Sequence, residues 1–132
     1  VDTTGTPLVA MSISGSTLTT VTTAGTEVLT NFSSAQTVDT SVFPEPYTLT
    51  SSGNVDSTQL DGSISYSTPV TFQGAGGAYP FAGELLVTGA NDASIRLIAL
   101  DATNVRIETD ADGDGNVDTT ENTTWDDIAL AL

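Results

Sequence analysis

Apolar and polar residues alternate along most of the chain, and β-branched residues occur in nearly every segment. Alternation with a period of two is typical of a β-strand, and β-branched side chains suit its pleated surface. The pattern predicts strands at residues 8–13, 17–22, 27–32, 36–43, 47–50, 59–67, 70–73, 84–88, 94–100 and 104–109. Turn residues separate them at intervals of about ten residues, as in sandwiches and barrels. We therefore expect one all-β domain over residues 1–132, a single antiparallel β-sandwich or barrel-like fold.

Two of the predicted strands differ from the others because they are apolar on both faces. They are residues 85–87 and 95–100. A strand that is apolar on both faces is typical of the centre of a sheet that is covered on each side. These two strands are therefore predicted to form the core, and the turn near Asp101 leads into residues 104–109.

An acidic loop follows this predicted meander. Residues 110–121 read DADGDGNVDTTE, with oxygen ligands at loop positions one, three, five, nine and twelve and glycine at position six. Ca²⁺ takes six to eight oxygen ligands, and such a loop converges on one ion only where glycine permits a sharp turn. The pattern predicts a C-terminal calcium-binding loop. Its predicted metal ligands are Asp110, Asp112, Asp114, Asn116, Asp118 and Glu121.

Three details of this loop are also predicted. Asn116 is expected to contribute its backbone carbonyl, and Val117 is expected to point into a core and anchor the loop. Residues 124–130 are either a short helix capped by Thr124 or a final strand. In the first case Glu121 closes the ion site with both oxygens; in the second it points elsewhere and water completes the shell.

Composition narrows the class of partner. The chain has 2 Lys+Arg against 17 Asp+Glu, for a net charge of −15. This charge repels nucleic acid and anionic lipid. Eight of the acids lie between Glu108 and Asp127, which favours an ion site over general acidity. No run of apolar residues approaches the length of a membrane span.

Residue types also narrow the chemistry. The chain has no His and no Cys, so it lacks the bases of the usual nucleophilic triads, and we predict that it is not an enzyme. The two basic residues, Arg96 and Arg106, are interpreted as surface ion pairs with Glu84 and Glu108. The alternative is that they engage acids of a neighbouring subunit.

The second half of the chain carries a motif of Gly, aromatic and acidic residues. It runs through GSISYSTP, FQG, PFAGELLVTGAN and VRIETDADGDG to Thr124-Trp125. Over residues 62–125 this motif resembles the C-terminal pattern of uncharacterised secreted or lipid-anchored bacterial β-rich proteins that end in a DxDxDG calcium loop. The loop itself resembles those of EF-hand, dockerin and thrombospondin-type repeats. The resemblance implies the ion and an extracellular setting, and it implies no activity.

The function predicted from these observations is that of a secreted or cell-surface structural protein stabilised by calcium. Residues 1–14 are interpreted either as an exchangeable strand that adds to the sheet of another copy or as an ordinary first strand. Exchange would give a homopolymer, such as a filament or surface layer. The alternative function is a calcium-dependent carbohydrate-binding or adhesion module, in which scattered aromatic residues would stack on sugar.

Overall fold

The computed structural model describes residues 8–58 and 62–131. Eight strands form one antiparallel sheet whose strand order follows the chain. The strands are β1 (Leu8–Thr22), β2 (Gly25–Asp39), β3 (Pro46–Ser57), β4 (Ser63–Ala75), β5 (Ala82–Thr88), β6 (Ser94–Ala99), β7 (Asn104–Asp110) and β8 (Thr119–Thr124), followed by helix α1 (Trp125–Ala131). The predicted all-β antiparallel class is confirmed.

The sheet is open. Each strand pairs with its neighbour in sequence, and β1 and β8 are its two edges. Among the described residues there is no second sheet, so the fold is a single eight-stranded layer rather than two packed sheets or a closed barrel. Short hairpins favour this order, because they place each strand directly beside the preceding one.

Eight strands replace the ten predicted because three pairs of predicted segments each form one strand, and because β8 was not predicted. The joined pairs are 8–13 with 17–22, 27–32 with 36–43, and the described part of 59–67 with 70–73. Three glycines at positions predicted to lie between strands are instead inside strands. Each stands opposite an aromatic residue of the neighbouring strand. The pairs are Gly15 with Phe32, Gly53 with Tyr66 and Gly74 with Tyr47. A Cβ at position 15 would lie 2.5 Å from the Phe32 ring. These glycines therefore make room for a cross-strand ring and do not break the strand.

The buried core is small. Its fully or nearly buried side chains are Phe72, Ala99 and Val105. Trp125 meets Phe72 edge to face with ring centroids 6.3 Å apart, and its indole N–H donates to the Pro80 carbonyl at 3.0 Å. Helix α1 is thereby fixed to the end of the sheet at the β4–β5 turn.

The two segments predicted as the core are interior strands, but they are poorly covered. Residues 85–87 are half-buried, and in the second segment only Ala99 is buried. Ile95 and Leu100 are 49% and 45% exposed. A single open layer has no second layer to cover these side chains, whatever their periodicity.

Both ends of the chain were predicted with alternatives. Residues 124–130 adopt the helical alternative, and the Thr124 hydroxyl accepts the Asp127 N–H at 3.2 Å, as an N-cap does. At the other end, residues 1–7 lie outside the described residues, as do residues 59–61 of the predicted strand 59–67. Residues 8–14 pair with β2 of the same chain. No helix among the described residues is long and apolar enough to cross a bilayer.

Candidate metal site

The acidic loop connects β7 to β8. It leaves the sheet at Asp110 and returns at Thr119, and the Asp118 N–H donates to the Thr109 carbonyl at 2.8 Å. The loop is therefore the closed end of a hairpin. Trp125 lies at the opposite end of this hairpin, where its backbone N–H donates to the Thr103 carbonyl at 3.0 Å.

Asp110 organises the loop. Its side chain is buried, at 9% relative exposure, and both carboxylate oxygens accept backbone N–H groups. Oδ1 accepts from Gly113 at 2.7 Å, and Oδ2 accepts from Gly115 at 2.9 Å. Both glycines have positive φ, 74° and 88°. Two glycines are thus needed to curl the chain around one carboxylate, whereas the sequence analysis assigned this role to Gly115 alone.

Three of the predicted ligands come together. Asp110, Asp112 and Asp118 each present one carboxylate oxygen, and these oxygens lie within 4.8 Å of one another. Two oxygens that bind the same Ca²⁺ at about 2.3–2.6 Å are separated by at most about 5 Å, so the spacing suits the ion. Asp118 is held in place because its Oδ2 accepts the Ala111 N–H at 2.7 Å. The cluster could hold a metal ion.

The carboxylates of Asp114 and Glu121, two further predicted ligands, lie outside this cluster. Asn116, the remaining one, lines the cavity next to Asp110. The Asp114 carboxylate accepts the side-chain amide of Asn116 at 3.0 Å and its backbone N–H at 2.7 Å. These hydrogen bonds lower the pKa of Asp114 below its ordinary value. Glu121 is exposed on β8, opposite Ile107. It lies outside the cluster although residues 125–131 are helical, which is the case in which Glu121 was predicted to close the ion site. The reason is that the strand already begins at Thr119, before loop position twelve.

Val117 does not enter a core. Its side chain is 52% exposed and borders a cavity between the loop and the sheet. The prediction that Val117 points into a core is wrong. The loop between Asp110 and Thr119 is eight residues long. It lies at the rim of a single layer, where no core is available.

A second turn supports the loop from the β5–β6 side. The 3₁₀ turn Ala90–Asp92 places Asn91 and Asp92 at positive φ, 56° and 61°. The Asn91 carbonyl lies directly against Gly113, so that a Cβ at position 113 would collide with it. The predicted strands 84–88 and 94–100 imply a turn between them, but this contact was not predicted. The available signal was Asn-Asp, a dipeptide that tolerates positive φ, beside a strand that leads to the loop.

The cavity beside the cluster has a volume of about 410 Å³. Its charged lining residues are Asp92, Arg96, Glu108 and Asp110. Arg96 contacts Glu84 at 3.5 Å, and Arg106 Nε contacts Glu108 at 3.1 Å, so both arginines have the acidic neighbours predicted for them. In register, Arg96 faces Glu108 and Arg106 faces Ile98, which makes the two arginines diagonal neighbours.

The aromatic residues weighed as a sugar platform are occupied elsewhere. Tyr47 covers Gly74 and Tyr66 covers Gly53. Tyr79 stacks on Trp125 at a centroid distance of 5.7 Å. Burial, followed by a hydrogen bond with Asp126, raises the pKa of Tyr79. Each of these rings therefore already has a contact within the chain.

Comparison with known proteins gives no relative from which a role could be transferred: no family model, no curated protein and no solved structure matches this chain. The resemblance of residues 62–125 to secreted or lipid-anchored bacterial proteins therefore stays a prediction. The assignment of function depends on the fold and on the geometry of the acidic loop.

Proposed function

We propose that this protein is an extracellular structural subunit that is stabilised by calcium and self-associates by strand addition at an edge of its sheet. A filament or a surface layer is the assembly that such a subunit would build. In this role the subunit has no catalytic activity.

The observation that carries the proposal is the exposure of edge strand β1. All of its 15 residues except Gly15 are exposed. Its large apolar side chains are 53% to 74% exposed and are Leu8, Val9, Met11, Ile13, Leu18 and Val21. A long edge with unpaired backbone groups and apolar side chains is a template for another strand. An isolated monomer gains nothing from such an edge, whereas an assembling subunit uses it.

Calcium has a structural role in this proposal. Asp110, Asp112 and Asp118 would hold the ion through one oxygen each, with further oxygens from water or the loop backbone. At neutral pH three adjacent carboxylates repel each other, and a divalent cation removes that repulsion. Binding would then stabilise the β7–β8 hairpin, which carries the edge of the sheet opposite β1.

Secretion fits the same chemistry. Loops of this kind in extracellular modules bind calcium with dissociation constants of about 0.1–1 mM, which external fluids satisfy and the cytosol does not. The chain contains no cysteine, so calcium would take the stabilising role that disulfides have in many secreted domains.

The test is the mass of the protein in solution as a function of its concentration. We expect light scattering coupled to size-exclusion chromatography to show species larger than the 13.5 kDa chain as concentration rises. A chelator should reduce the stability of these species, and no species of a different mass should appear. A single monomeric peak up to millimolar chain concentration, with and without calcium, would exclude the structural-subunit function.

The cavity beside the acidic cluster favours a second candidate, a calcium-dependent carbohydrate-binding or adhesion module. It offers Arg96, Glu108 and Asn116 beside Asp110 of the cluster, and sugar hydroxyls are recognised by polar groups of this kind. Glycan-array binding that disappears with chelator and with Arg96→Ala would support this function. A monomer that binds a glycan would favour it over the structural subunit.

A further inference from the structure

We propose that the partner of edge strand β1 is the β1 strand of a second copy, paired antiparallel about a two-fold axis at Gly15. The inference rests on the proposed self-association and names its interface. Its product is a dimer with one continuous sheet of sixteen strands, since each copy contributes eight.

Strand β1 lacks the features that prevent edge pairing. Natural edges are shortened or carry Lys, inward-pointing charges, Pro or bulges. Residues 8–22 contain no charged residue and no Pro, and their register with β2 remains constant from Leu8 to Thr22. The strand is also long, at 15 residues. Nothing in the described chain covers its outer edge, because β2 is its only partner in the sheet.

The distribution of charge also favours pairing through β1. Two copies that each carry a charge of −15 repel each other over most of their surfaces. The β1 strip is uncharged, so two copies can approach there with the least repulsion. The other edge, β8, is only 6 residues long, contains Glu121 and follows the acidic loop. Pairing of β1 with β1 therefore satisfies more backbone groups, and brings together fewer charges, than pairing through β8.

The side chains of two β1 strands also fit each other when the strands pair about Gly15. An axis at Gly15 overlaps the full strand and places Val9 of one copy directly opposite Val21 of the other. The same register places Ile13 opposite Thr17, and β-branched residues facing each other stabilise antiparallel pairs. Val9 and Val21 are 54% and 74% exposed in the single chain, so both have surface to bury.

The size of this contact is sufficient for a specific dimer. A strand of 15 residues is about 50 Å long at roughly 3.4 Å per residue. If the strip is about 10 Å wide, the thickness of one sheet layer, each copy buries roughly 500 Å². The total of about 1,000 Å² reaches the lower limit for a biological interface. Because the contact is isologous it closes at two copies, and the dimer is then the unit from which a larger assembly would grow.

Cysteine cross-linking of the full chain tests the register directly, since the chain has no cysteine of its own. Positions 9 and 21 are about 40 Å apart along one strand, so a disulfide between them can form only between copies. In a glutathione redox buffer we expect the double variant Val9→Cys, Val21→Cys to give a covalent dimer. The matched control, Val9→Cys with Thr17→Cys, has its cysteines on the same face but out of register. We expect at least tenfold less dimer from this control.

A second pair of variants tests the edge without a covalent bond. Ile13→Glu places two negative charges near the proposed axis, and we expect it to weaken association by at least tenfold. Val42→Glu adds the same charge at a side chain that is 52% exposed and outside β1, and association should be unchanged. Circular dichroism melts establish that each variant is folded.

The outcomes separate the inference from the proposed function. If the parent and every variant are monomeric, both the β1–β1 contact and the proposed self-association are wrong. Association of the parent that is insensitive to Ile13→Glu, or sensitive but without the 9–21 cross-link, overturns the β1–β1 contact and leaves self-association standing. In the sensitive case β1 would pair with another edge, such as β8. Cross-linking in register together with loss of association in Ile13→Glu supports the two-fold dimer.

Discussion

The substitution Asp118→Asn isolates the contribution of the metal site to stability. Asp118 is exposed, and its carboxylate belongs to the acidic cluster. Its Oδ2 also accepts the Ala111 N–H at 2.7 Å. The oxygen of Asn can still accept that hydrogen bond. The substitution therefore removes one metal ligand's charge and preserves the loop. Because it also removes part of the repulsion among the carboxylates, the calcium-free fold should be at least as stable as the parent.

The expected effect follows from the linkage between binding and folding. With a dissociation constant of about 0.1–1 mM, 10 mM Ca²⁺ adds RT ln(1 + [Ca²⁺]/Kd), which is about 1.4–2.7 kcal/mol. An unfolding entropy of roughly 2.1 cal/mol/K per residue gives about 0.28 kcal/mol/K for 132 residues. The melting temperature of the parent should therefore rise by about 5–10 °C on going from chelator to calcium.

The assay is a thermal melt followed by circular dichroism in calcium and in chelator at equal ionic strength. We expect Asp118→Asn to lose most of the rise, leaving less than about 2 °C. Asp56→Asn, which removes an exposed acid on β3 far from the loop, should keep the full rise. If Asp118→Asn and the parent respond equally to calcium, the three-carboxylate site is wrong.

Three further substitutions test the fold. Gly74→Ala should cost about 1–3 kcal/mol in denaturant unfolding, because its Cβ would meet the Tyr47 ring, whereas Gly77→Ala projects into open space and should have little effect. Equal stability of these two variants would contradict the role assigned to Gly74. Thr124→Ala should cost about 1 kcal/mol by removing the N-cap of α1, and an unchanged unfolding midpoint would exclude that role. The pKa of Asp101 is lowered by hydrogen bonds from Asn104 and Thr103, so its stabilisation is present above the ordinary value of 3.8 and is lost as pH falls through the lower folded value. Asp101→Asn should accordingly lose less melting temperature than the parent between about pH 5 and pH 2, and an identical acid profile would show that Asp101 contributes nothing.

The strands could be predicted from the sequence because alternation reports the pleat directly. The errors at Gly15, Gly53 and Gly74 have a common cause. Glycine is favoured both where a chain turns and where a neighbouring ring needs space, and a single sequence does not distinguish these uses. The partner aromatic residue is the missing information, and it lies 13 to 27 residues away in the chain.

Strand β8 was missed for a different reason. Its sequence, TTENTT, contains no apolar residue and so has no alternation to detect. It is a strand because β7 provides a ladder for it, from Asn104 paired with Thr124 to Thr109 paired with Thr119. The early start of this ladder also decides the position of Glu121. Tertiary pairing, rather than loop spacing, therefore determines which acids surround the candidate ion.

The degree to which these strands are buried could not be predicted from the sequence either. Residues 95–100 have the composition of a covered strand, yet Ile95 is 49% exposed. Periodicity reports the faces of a strand but not whether another layer lies over them. In this protein exposure is also the observation on which the proposed function depends, because the exposed residues include those of edge strand β1.

The most direct test of the account is a crystal structure of the full chain grown in calcium, with an anomalous difference map. We expect one strong peak at about 2.3–2.6 Å from carboxylate oxygens of Asp110, Asp112 and Asp118. A map with no peak at this cluster in saturating calcium, or with the three side chains turned away from one another, would contradict it.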